Sequence, residues 1–305
     1  MSNSGVLILD KTAGVTSFDA VALVRRRLGL KRVGHAGTLD PDATGVLPML
    51  LGEATKLMPY LADQDKEYVA TLKLGVTTDT GDLSGRVLTT AAVPALDRAA
   101  VDIACRAFVG RIKQVPPMYS AIHHEGRRLY ELAREGVEVV REPREVAIHA
   151  IDVEEAAGDS ARLRVVCGKG TYLRVLAADL GAALGCGAAV ARLVRTRVGP
   201  FSLDEAVPWP ALAEGPAAAV WARVCPAEAA LAGWAILRLD ARAASQFEHG
   251  QAVALAPPGA AAGTLVRVHL AAGRLLGVGE VMEGERTRPV RMLHADRPGT
   301  RVLPA

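Results

Sequence analysis

Four prolines between residues 208 and 226 divide this 305-residue chain into two parts with different hydrophobic patterns. Proline donates no backbone hydrogen bond and breaks a helix interior, so this Ala-rich stretch predicts a connecting region rather than one long helix. Strand and helix patterns alternate before it, whereas short apolar runs separated by Gly and Pro turns follow it after about residue 235. We therefore predict two domains, 1–234 and 235–305.

The first part contains several recognisable elements. Residues 6–9 predict a buried strand, and residues 18–28 predict a helix with Ser17 as N-cap and Gly29 as stop signal. The apolar residues of this helix recur at three- and four-residue steps, at Phe18, Val21, Val24 and Leu28. Further helices are predicted near 53–61, 97–108, 127–135 and 171–185, and strands near 68–74, 144–154, 161–167 and 191–201, the last with its arginines pointing outward.

The second part contains five short strand-like runs at roughly regular spacing. They are AILRL, QAVAL, TLVRVHL, RLLGVGEV and PVRML, and Gly or Pro turns separate them. Such spacing is typical of a small β-barrel or sandwich.

Composition excludes several classes of protein. No apolar stretch approaches the roughly 18 residues that span a bilayer, and the N-terminus lacks the basic region of a signal peptide, so we expect a soluble cytoplasmic protein. The four cysteines are far apart, at 105, 167, 186 and 225, and no histidine stands at metal-ligand spacing from them. We expect neither a disulfide framework nor a metal site.

Positive charge is concentrated in two segments, although the net charge is only +3. Residues 25–32 contain five basic residues and no acid, and residues 161–200 contain seven basic residues against one acid. Two separated clusters suit a polyanion, but an ordinary solvated surface is an equally open interpretation.

The most distinctive segment is GHAGTLDPDATGVLP, residues 34–48. Its glycines permit an irregular backbone, and Pro41 biases the preceding Asp40 toward an extended conformation. A carboxylate on such a loop, five residues after His35, is a candidate catalytic group. A simple turn with a capping aspartate is the alternative interpretation.

Several further short motifs accompany the segment at 34–48 along the chain. They are VLILDK (6–11), DKEY (65–68), TDTGD (78–82), PPMYSA (116–121), KGTYLR (169–174), DLG (179–181) and GCGA (185–188). With the loop at 34–48 they resemble the TruB family of tRNA pseudouridine synthases, and the resemblance spans residues 5 to about 205. The C-terminal part is similar to the PUA-type RNA-binding domain of that family.

The resemblance implies an α/β (α+β) catalytic domain around a mixed, largely antiparallel sheet, followed by a small PUA-like β-domain. It implies an isomerase that breaks the C1'–N1 bond of a uridine in the tRNA T-loop and rejoins the base through C5, after base flipping. This reaction needs no cofactor or metal. The T-arm of tRNA is the expected partner, no protein partner is implied, and a monomer is expected.

The resemblance also assigns roles to individual residues. Asp40 matches the catalytic carboxylate and Arg174 the arginine that pairs with it, while Asp82 matches a second acid linked to that arginine. The remaining matches are Tyr68, which would stack on the flipped uracil; Tyr172 and Leu193, which would line the uridine pocket; His35, which would fill the space that the nucleotide vacates; and Lys11 and Tyr119, which would support the site.

Recognition of the RNA should depend on T-loop shape and phosphate contacts rather than on groove readout. The basic segments at 25–32 and 161–200 are the candidate contact surfaces, and residues 112–140 resemble an insertion that closes over the RNA. Two other functions are open: a chaperone that binds and refolds tRNA, and a hydrolytic N-glycosidase that would release free uracil.

Overall fold

The structure, a computed structural model, describes residues 3–120 and 122–294. The helices are α1 (Ser17–Leu28), α2 (Met58–Ala62), α3 (Arg98–Arg106), α4 (Leu129–Arg134), α5 (Leu173–Ala183), α6 (Trp209–Ala213), α7 (Ala217–Trp221) and α8 (Ala241–Glu248). The strands are β1 (Gly5–Lys11), β2 (Val33–His35), β3 (Thr44–Leu51), β4 (Lys66–Leu74), β5 (Val76–Thr78), β6 (Val87–Thr90), β7 (Gly110–Gln114), β8 (His123–His124), β9 (Arg127–Arg128), β10 (Arg144–Ala157), β11 (Ser160–Cys167), β12 (Ala188–Val198), β13 (Phe201–Ser202), β14 (Val207–Pro208), β15 (Ile236–Leu239), β16 (Leu265–Leu270), β17 (Leu275–Met282) and β18 (Arg286–Met292).

One large sheet forms the centre of the first part. Its strands run in the order β14-β1-β3-β12-β4-β11-β10-β7, with β2 added beside β3 and β13 beside β12. The pairs β1–β14 and β3–β12 are parallel, and the other pairs are antiparallel. The expectation of a mixed, largely antiparallel sheet is confirmed.

Helices α1, α3 and α5 cover one face of this sheet and bury a Leu- and Val-rich core against it. A second core on the other face joins strand residues such as Val6 and Ile8 to Leu57 and Leu61, and it includes Val278 from the second part. Strands β4 and β12 lie near the middle of the sheet and contribute to the first core, and Val198 of β12 also joins the second.

Helix α1 begins one residue earlier than expected. Its N-cap is Thr16, whose side chain accepts a hydrogen bond from Asp19 N, while the Asp19 carboxylate binds Thr16 N in return. This reciprocal pair is a capping box. Ser17, the predicted N-cap, is buried within the helix instead. Phe18, predicted on the apolar face, is 72% exposed.

The segment at 53–61 also differs from the expectation of a single helix. It forms a 3-10 turn over Gly52–Leu57 followed by α2, which has Pro59 in its first turn. Because proline has no N–H for the preceding turn, a continuous helix breaks there.

The second sheet runs in the order β15-β16-β17-β18, with β15 parallel to β16. The run QAVAL at 251–255, predicted as a strand, contributes only one isolated bridge between Val253 and Thr287. Helix α8, which the sequence patterns did not predict, begins after Asp240, whose carboxylate accepts from Ala243 N. Residues 295–305 of the predicted second domain and Ala121 of the PPMYSA motif lie outside the described residues.

No helix in the described ranges is long and apolar enough to cross a membrane.

Candidate active site

Asp40 lies on the connection between β2 and β3, where short contacts fix the backbone on both sides. Ser17 Oγ accepts a hydrogen bond from Leu39 N at 2.9 Å and donates one to the Leu39 carbonyl at 3.2 Å. Ala43 N donates to the Asp40 carbonyl at 3.1 Å. Asp40 is therefore presented from a fixed loop, as the motif at 34–48 suggested.

Lys11, the last residue of β1, holds the loop from beneath. Its side chain is completely buried, and Nζ donates to the carbonyls of Thr12, Val15 and Pro41, each at 2.8 Å. Burial lowers the pKa of Lys11 to about 8, and the nearby Asp42 and Asp40 partly counteract this effect. Lys11 is thus hydrogen-bonded both to the segment that follows β1 and to Pro41, the residue after Asp40.

A second buried cation, Arg195 of β12, holds the loop on the other side. It is 1% exposed and donates to the carbonyls of Val46 at 2.8 Å, Gly37 at 3.0 Å and Thr38 at 3.4 Å. The expectation that the arginines of this strand point outward is wrong for Arg195. The connection between β2 and β3 lies over this part of the strand, and its backbone carbonyls satisfy the buried guanidinium.

Arg174 in the first turn of α5 forms a two-pronged pair with Asp40. Its Nε lies 2.9 Å from Asp40 Oδ2, and its Nη2 lies 3.2 Å from Oδ1. The arginine side chain is 6% exposed and that of Asp40 is 40% exposed. The arginine therefore contacts the carboxylate from the protein interior, and the other side of the carboxylate is exposed to solvent. Such a pair fixes the rotamer of the carboxylate.

Asp82 is the second acid near this arginine. Its Oδ2 lies 3.8 Å from Arg174 Nε, while Oδ1 accepts from Thr80 Oγ1 at 2.7 Å and from Ser84 Oγ at 2.6 Å. The Thr80 carbonyl also accepts from Arg174 Nη1 at 2.7 Å. The TDTGD turn therefore orients the arginine through one backbone carbonyl and one carboxylate.

The last residue of β7 and the segment that follows it lie against the beginning of α5. Gln114, which is 2% exposed, accepts from Tyr172 N at 2.9 Å and donates to the Tyr172 carbonyl at 3.3 Å. Five residues later the Tyr119 carbonyl accepts from Arg174 Nη2 at 2.8 Å. Pro116 and the proline after it stiffen the connection between these two anchor points.

The open side of Asp40 faces a cleft. Four of the predicted site residues line it, namely Asp40, Asp82, Arg174 and Leu193. The other lining residues are Asp42, Ala43, Leu83, Ser84, Val190, Ala191 and Arg192. Across residues 3–120 and 122–294, no group of three or more His, Cys, Asp or Glu side chains is arranged to hold a metal ion.

Tyr68, Tyr172 and His35 lie around this cleft without lining it. Tyr68 of β4 is 8% exposed and pairs across the sheet with Arg195; burial raises the pKa of its phenol, and Arg195 opposes this shift. Burial also raises the pKa of Tyr172. Burial, with Arg195 nearby, lowers the pKa of His35, whose Nδ1 has no hydrogen-bond partner among the described residues.

The basic residues between 161 and 200 do not form a free positive face. Arg174 and Arg195 are buried at the site, and carboxylates on neighbouring elements neutralise three others. These ion pairs join Arg162 to Glu154, Arg164 to Glu67 and Asp152, and Lys169 to Asp63. Of the other two, Arg192 lies at the cleft and Arg197 donates to the Gly199 carbonyl at 3.2 Å, so this segment offers RNA far less charge than its composition predicts.

Sequence reasoning missed three residues that position the site: Ser17, Gln114 and Arg195. A capping-box pattern, Thr16 followed by Asp19, could have assigned the N-cap correctly and freed Ser17 for another role. No local signal distinguishes Gln114, and Arg195 looks like any other arginine of an alternating strand.

Comparison with protein families gives three matches that together cover most of the chain. The model "TruB family pseudouridylate synthase (N terminal domain)" matches residues 25–173. The model "tRNA pseudouridylate synthase B C-terminal domain" matches residues 174–232, and "Pseudouridine synthase II TruB, C-terminal" matches residues 235–293.

Curated relatives are similar over nearly their whole length. The chain is 49% identical over 289 residues to a tRNA pseudouridine synthase B of Dechloromonas aromatica, covering 95% of each chain. It is 48% identical over 284 residues to a tRNA pseudouridine synthase B of Burkholderia pseudomallei, covering 92% of this chain and 94% of the relative.

Solved structures with a similar fold include Cbf5 assemblies. A structure titled as an archaeal box H/ACA sRNP Nop10–Cbf5 complex matches with a TM-score of 0.73 and 26% identity, over 99% of this chain and 89% of that one. A Cbf5–Nop10–Gar1 complex matches with a TM-score of 0.72 and 26% identity, over 97% and 84%.

Proposed function

Since the chain belongs to the TruB family of pseudouridylate synthases, we propose that it isomerises the T-loop uridine of tRNA with Asp40 as its catalytic carboxylate. Isomerisation of uridine to pseudouridine in tRNA is the activity that family and fold support. The observation that supports the role of Asp40 is its pairing with Arg174, which holds one side of the carboxylate and leaves the other open to the cleft.

The reaction conserves the composition of the nucleoside. The C1'–N1 glycosidic bond breaks, the detached uracil turns, and a C5–C1' bond forms; the C5 proton leaves to solvent and N1 takes up a proton. A carboxylate can serve as nucleophile or as base in such steps. A paired carboxylate keeps lone pairs free on its open side, which either role requires.

The uridine must leave the stacked RNA before its glycosidic carbon can reach Asp40. We assign Leu193 to the wall of the uridine pocket, with Tyr68 and Tyr172 approaching the base from the two sides of the cleft. Tyr68 is almost buried in the structure, so stacking on a uracil requires the base to enter and widen the cleft. His35 would occupy the position that the flipped nucleotide leaves.

The remaining roles follow from contacts around the cleft. Asp82 orients Arg174, and Lys11 supports the loop. The 112–140 insertion, which reaches Arg174 through the Tyr119 carbonyl, would close over the RNA. We also propose that residues 235–305 form a PUA-like RNA-binding domain attached to the 1–234 catalytic domain, and that the enzyme acts as a monomer in the cytoplasm.

The decisive test uses a T-arm stem-loop that carries tritium at uridine C5. Formation of the C5–C1' bond expels this tritium into water, so release reports isomerisation directly. We expect release by the wild type and a loss of at least about 1,000-fold in Asp40→Asn, because the amide lacks the charge needed for nucleophilic or basic catalysis.

Asp42→Asn is the matched control because Asp42 lies in the same cleft without contacting Arg174. It should retain release within about tenfold, as it is not the paired carboxylate. Binding of the stem-loop by wild type without tritium release would reject the isomerase assignment for this substrate and favour a tRNA chaperone. Free uracil among the products would instead identify a hydrolytic N-glycosidase.

A further inference from the structure

One aromatic side chain differs from all the others in its exposure. The chain has twelve aromatic residues, all within the described ranges, and eleven of them are buried or partly buried. Phe18 is 72% exposed. Exposing a phenylalanine forgoes the free energy of burying a large apolar ring, so its position in the molecule is informative.

Phe18 lies immediately beside the catalytic loop. The preceding residue, Ser17, is hydrogen-bonded through its hydroxyl to both backbone groups of Leu39. Phe18 and Asp40 each follow that contact by one residue. The exposed ring is therefore attached to a rigid point next to the active site.

The exposed side of α1 continues from Phe18 as a defined surface, which we call the α1 face: Phe18, Ala22, Arg25 and Arg26. These positions follow at steps of four, seven and eight residues and share one side of the helix, while Val21, Val24 and Leu28 are buried on the other. The rise of a helix places the two arginines about 10–12 Å from Phe18 along its axis.

Both arginines of the α1 face are free to bind an anion. Within residues 3–120 and 122–294 neither guanidinium has a hydrogen-bond or ion-pair partner, whereas Arg27 donates to the carbonyls of Leu212 and Gly215. The acid nearest Phe18 is Asp19, and its carboxylate is engaged by Thr16 N and Oγ1 at 2.9 and 2.6 Å. The α1 face is thus positive, unlike the neutralised segment at 161–200.

We propose that the α1 face binds the RNA strand next to the reacting uridine, with a nucleobase stacked on Phe18 and phosphates on Arg25 and Arg26. An aromatic platform followed by unpaired arginines is the combination that single-stranded nucleic acid requires. The proposal depends on the proposed function only in that RNA is the substrate. It adds a stacking residue, Phe18, to the basic segment at 25–32 that the sequence already indicated as a candidate contact surface.

The test measures equilibrium binding of a fluorescently labelled T-arm stem-loop over a range of salt concentrations. Phe18→Ala and Phe18→Leu should raise Kd about 5- to 100-fold with little change in salt dependence, because they remove a stacking surface and no charge. Phe18→Trp should restore binding, since it keeps an aromatic face. The Arg25→Ala/Arg26→Ala double variant should lower the slope of log Kd against log salt by about 0.7–0.9 for each phosphate that is no longer neutralised.

Matched controls lie on α3, where Ile103 is 67% exposed and Arg98 is also exposed. Ile103→Ala and Arg98→Ala should bind the stem-loop like wild type. At saturating RNA, both control variants should also release tritium at the wild-type rate.

A Kd for Phe18→Ala within twofold of wild type, or an unchanged salt slope in the double arginine variant, would overturn the proposal. Equal weakening by the α3 controls would also overturn it. These binding results are separate from tritium release: wild type that binds but releases no tritium refutes the proposed isomerase function and leaves the binding test of the α1 face valid.

Discussion

Replacement of Arg195 by methionine tests whether the backbone of the catalytic loop is held by this buried cation. The substitution keeps an apolar stem of similar length and removes the donors to the carbonyls of Gly37, Thr38 and Val46. Two of these bonds have ordinary lengths, 2.8 and 3.0 Å, and the third, at 3.4 Å, is weak.

The expected loss of stability follows from those bonds. A buried carbonyl left without its partner costs about 1–3 kcal/mol, so the two stronger bonds account for about 2–6 kcal/mol. Removing a buried charge also removes its desolvation penalty, which places the net loss nearer about 2–4 kcal/mol. At about 2–4 °C per kcal/mol, the melting temperature should fall by about 5–15 °C.

The loss of activity should exceed what unfolding explains. Below the melting transition the loop of Arg195→Met remains folded but less constrained, and a displacement of Asp40 by about 1 Å can cost about 100-fold in rate. Single-turnover tritium release at low temperature, measured with circular dichroism of the same samples, separates these effects. Arg195→Lys should give an intermediate rate, because it keeps the charge without the planar fork.

Arg162→Met is the matched control, since Arg162 forms an exposed ion pair with Glu154 at 2.8 Å on the adjoining part of the sheet. It should change stability by less than about 1 kcal/mol and leave the rate unchanged. A folded Arg195→Met that releases tritium as fast as wild type would refute the view that the carbonyl contacts of Arg195 position Asp40.

Two further predictions concern groups around the same cleft. Gln114→Ala should lower the single-turnover rate about tenfold or more with Kd for the stem-loop within twofold, because it releases the backbone of Tyr172 at the start of the helix that carries Arg174. Thr287→Val is the control, because it removes a buried hydroxyl–carbonyl hydrogen bond from the second sheet and should lower only the melting temperature. Equal losses of rate in the two variants would contradict the positioning role of Gln114. Burial lowers the pKa of His35 below its ordinary value of 6.5. As the pH falls through 6.5, the unfolded chain therefore binds a proton at this histidine before the folded chain does. Stability should therefore fall on acidification below about pH 6.5, by at most about 1.4 kcal/mol per pH unit from this residue, and urea titrations of His35→Gln should show a shallower decline; identical pH profiles for the variant and wild type would rule this effect out.

Local patterns predicted the elements that carry the site better than the contacts within it. The helix that carries Arg174 and the strand that carries Tyr68 were both predicted, because each shows its period clearly over a full element. Asp40, Arg174 and Asp82, which the family motifs singled out and which are distant in sequence, line one cleft.

What the sequence could not predict depends on long-range packing. Phe18 follows the helical period and yet is exposed, whereas Ser17 beside it is buried and hydrogen-bonded to Leu39. Arg195 alternates like a surface residue, but the connection between β2 and β3 lies over it. A local pattern does not encode which side of a helix packs on the sheet or which loop covers a strand.

The two cations that hold the catalytic loop contact only its backbone. Lys11 donates to the Pro41 carbonyl, and Arg195 donates to those of Gly37 and Thr38, so none of these hydrogen bonds uses a side chain of the loop. Position 45 is one place beside the loop where a side chain is not tolerated, because a Cβ added to Gly45 would come 2.2 Å from the Arg195 carbonyl oxygen. The position of Asp40, the proposed catalytic carboxylate, is thereby set by backbone contacts and not by the side chains around it. Residues that line the cleft can therefore be substituted to suit a different nucleotide context without displacing Asp40.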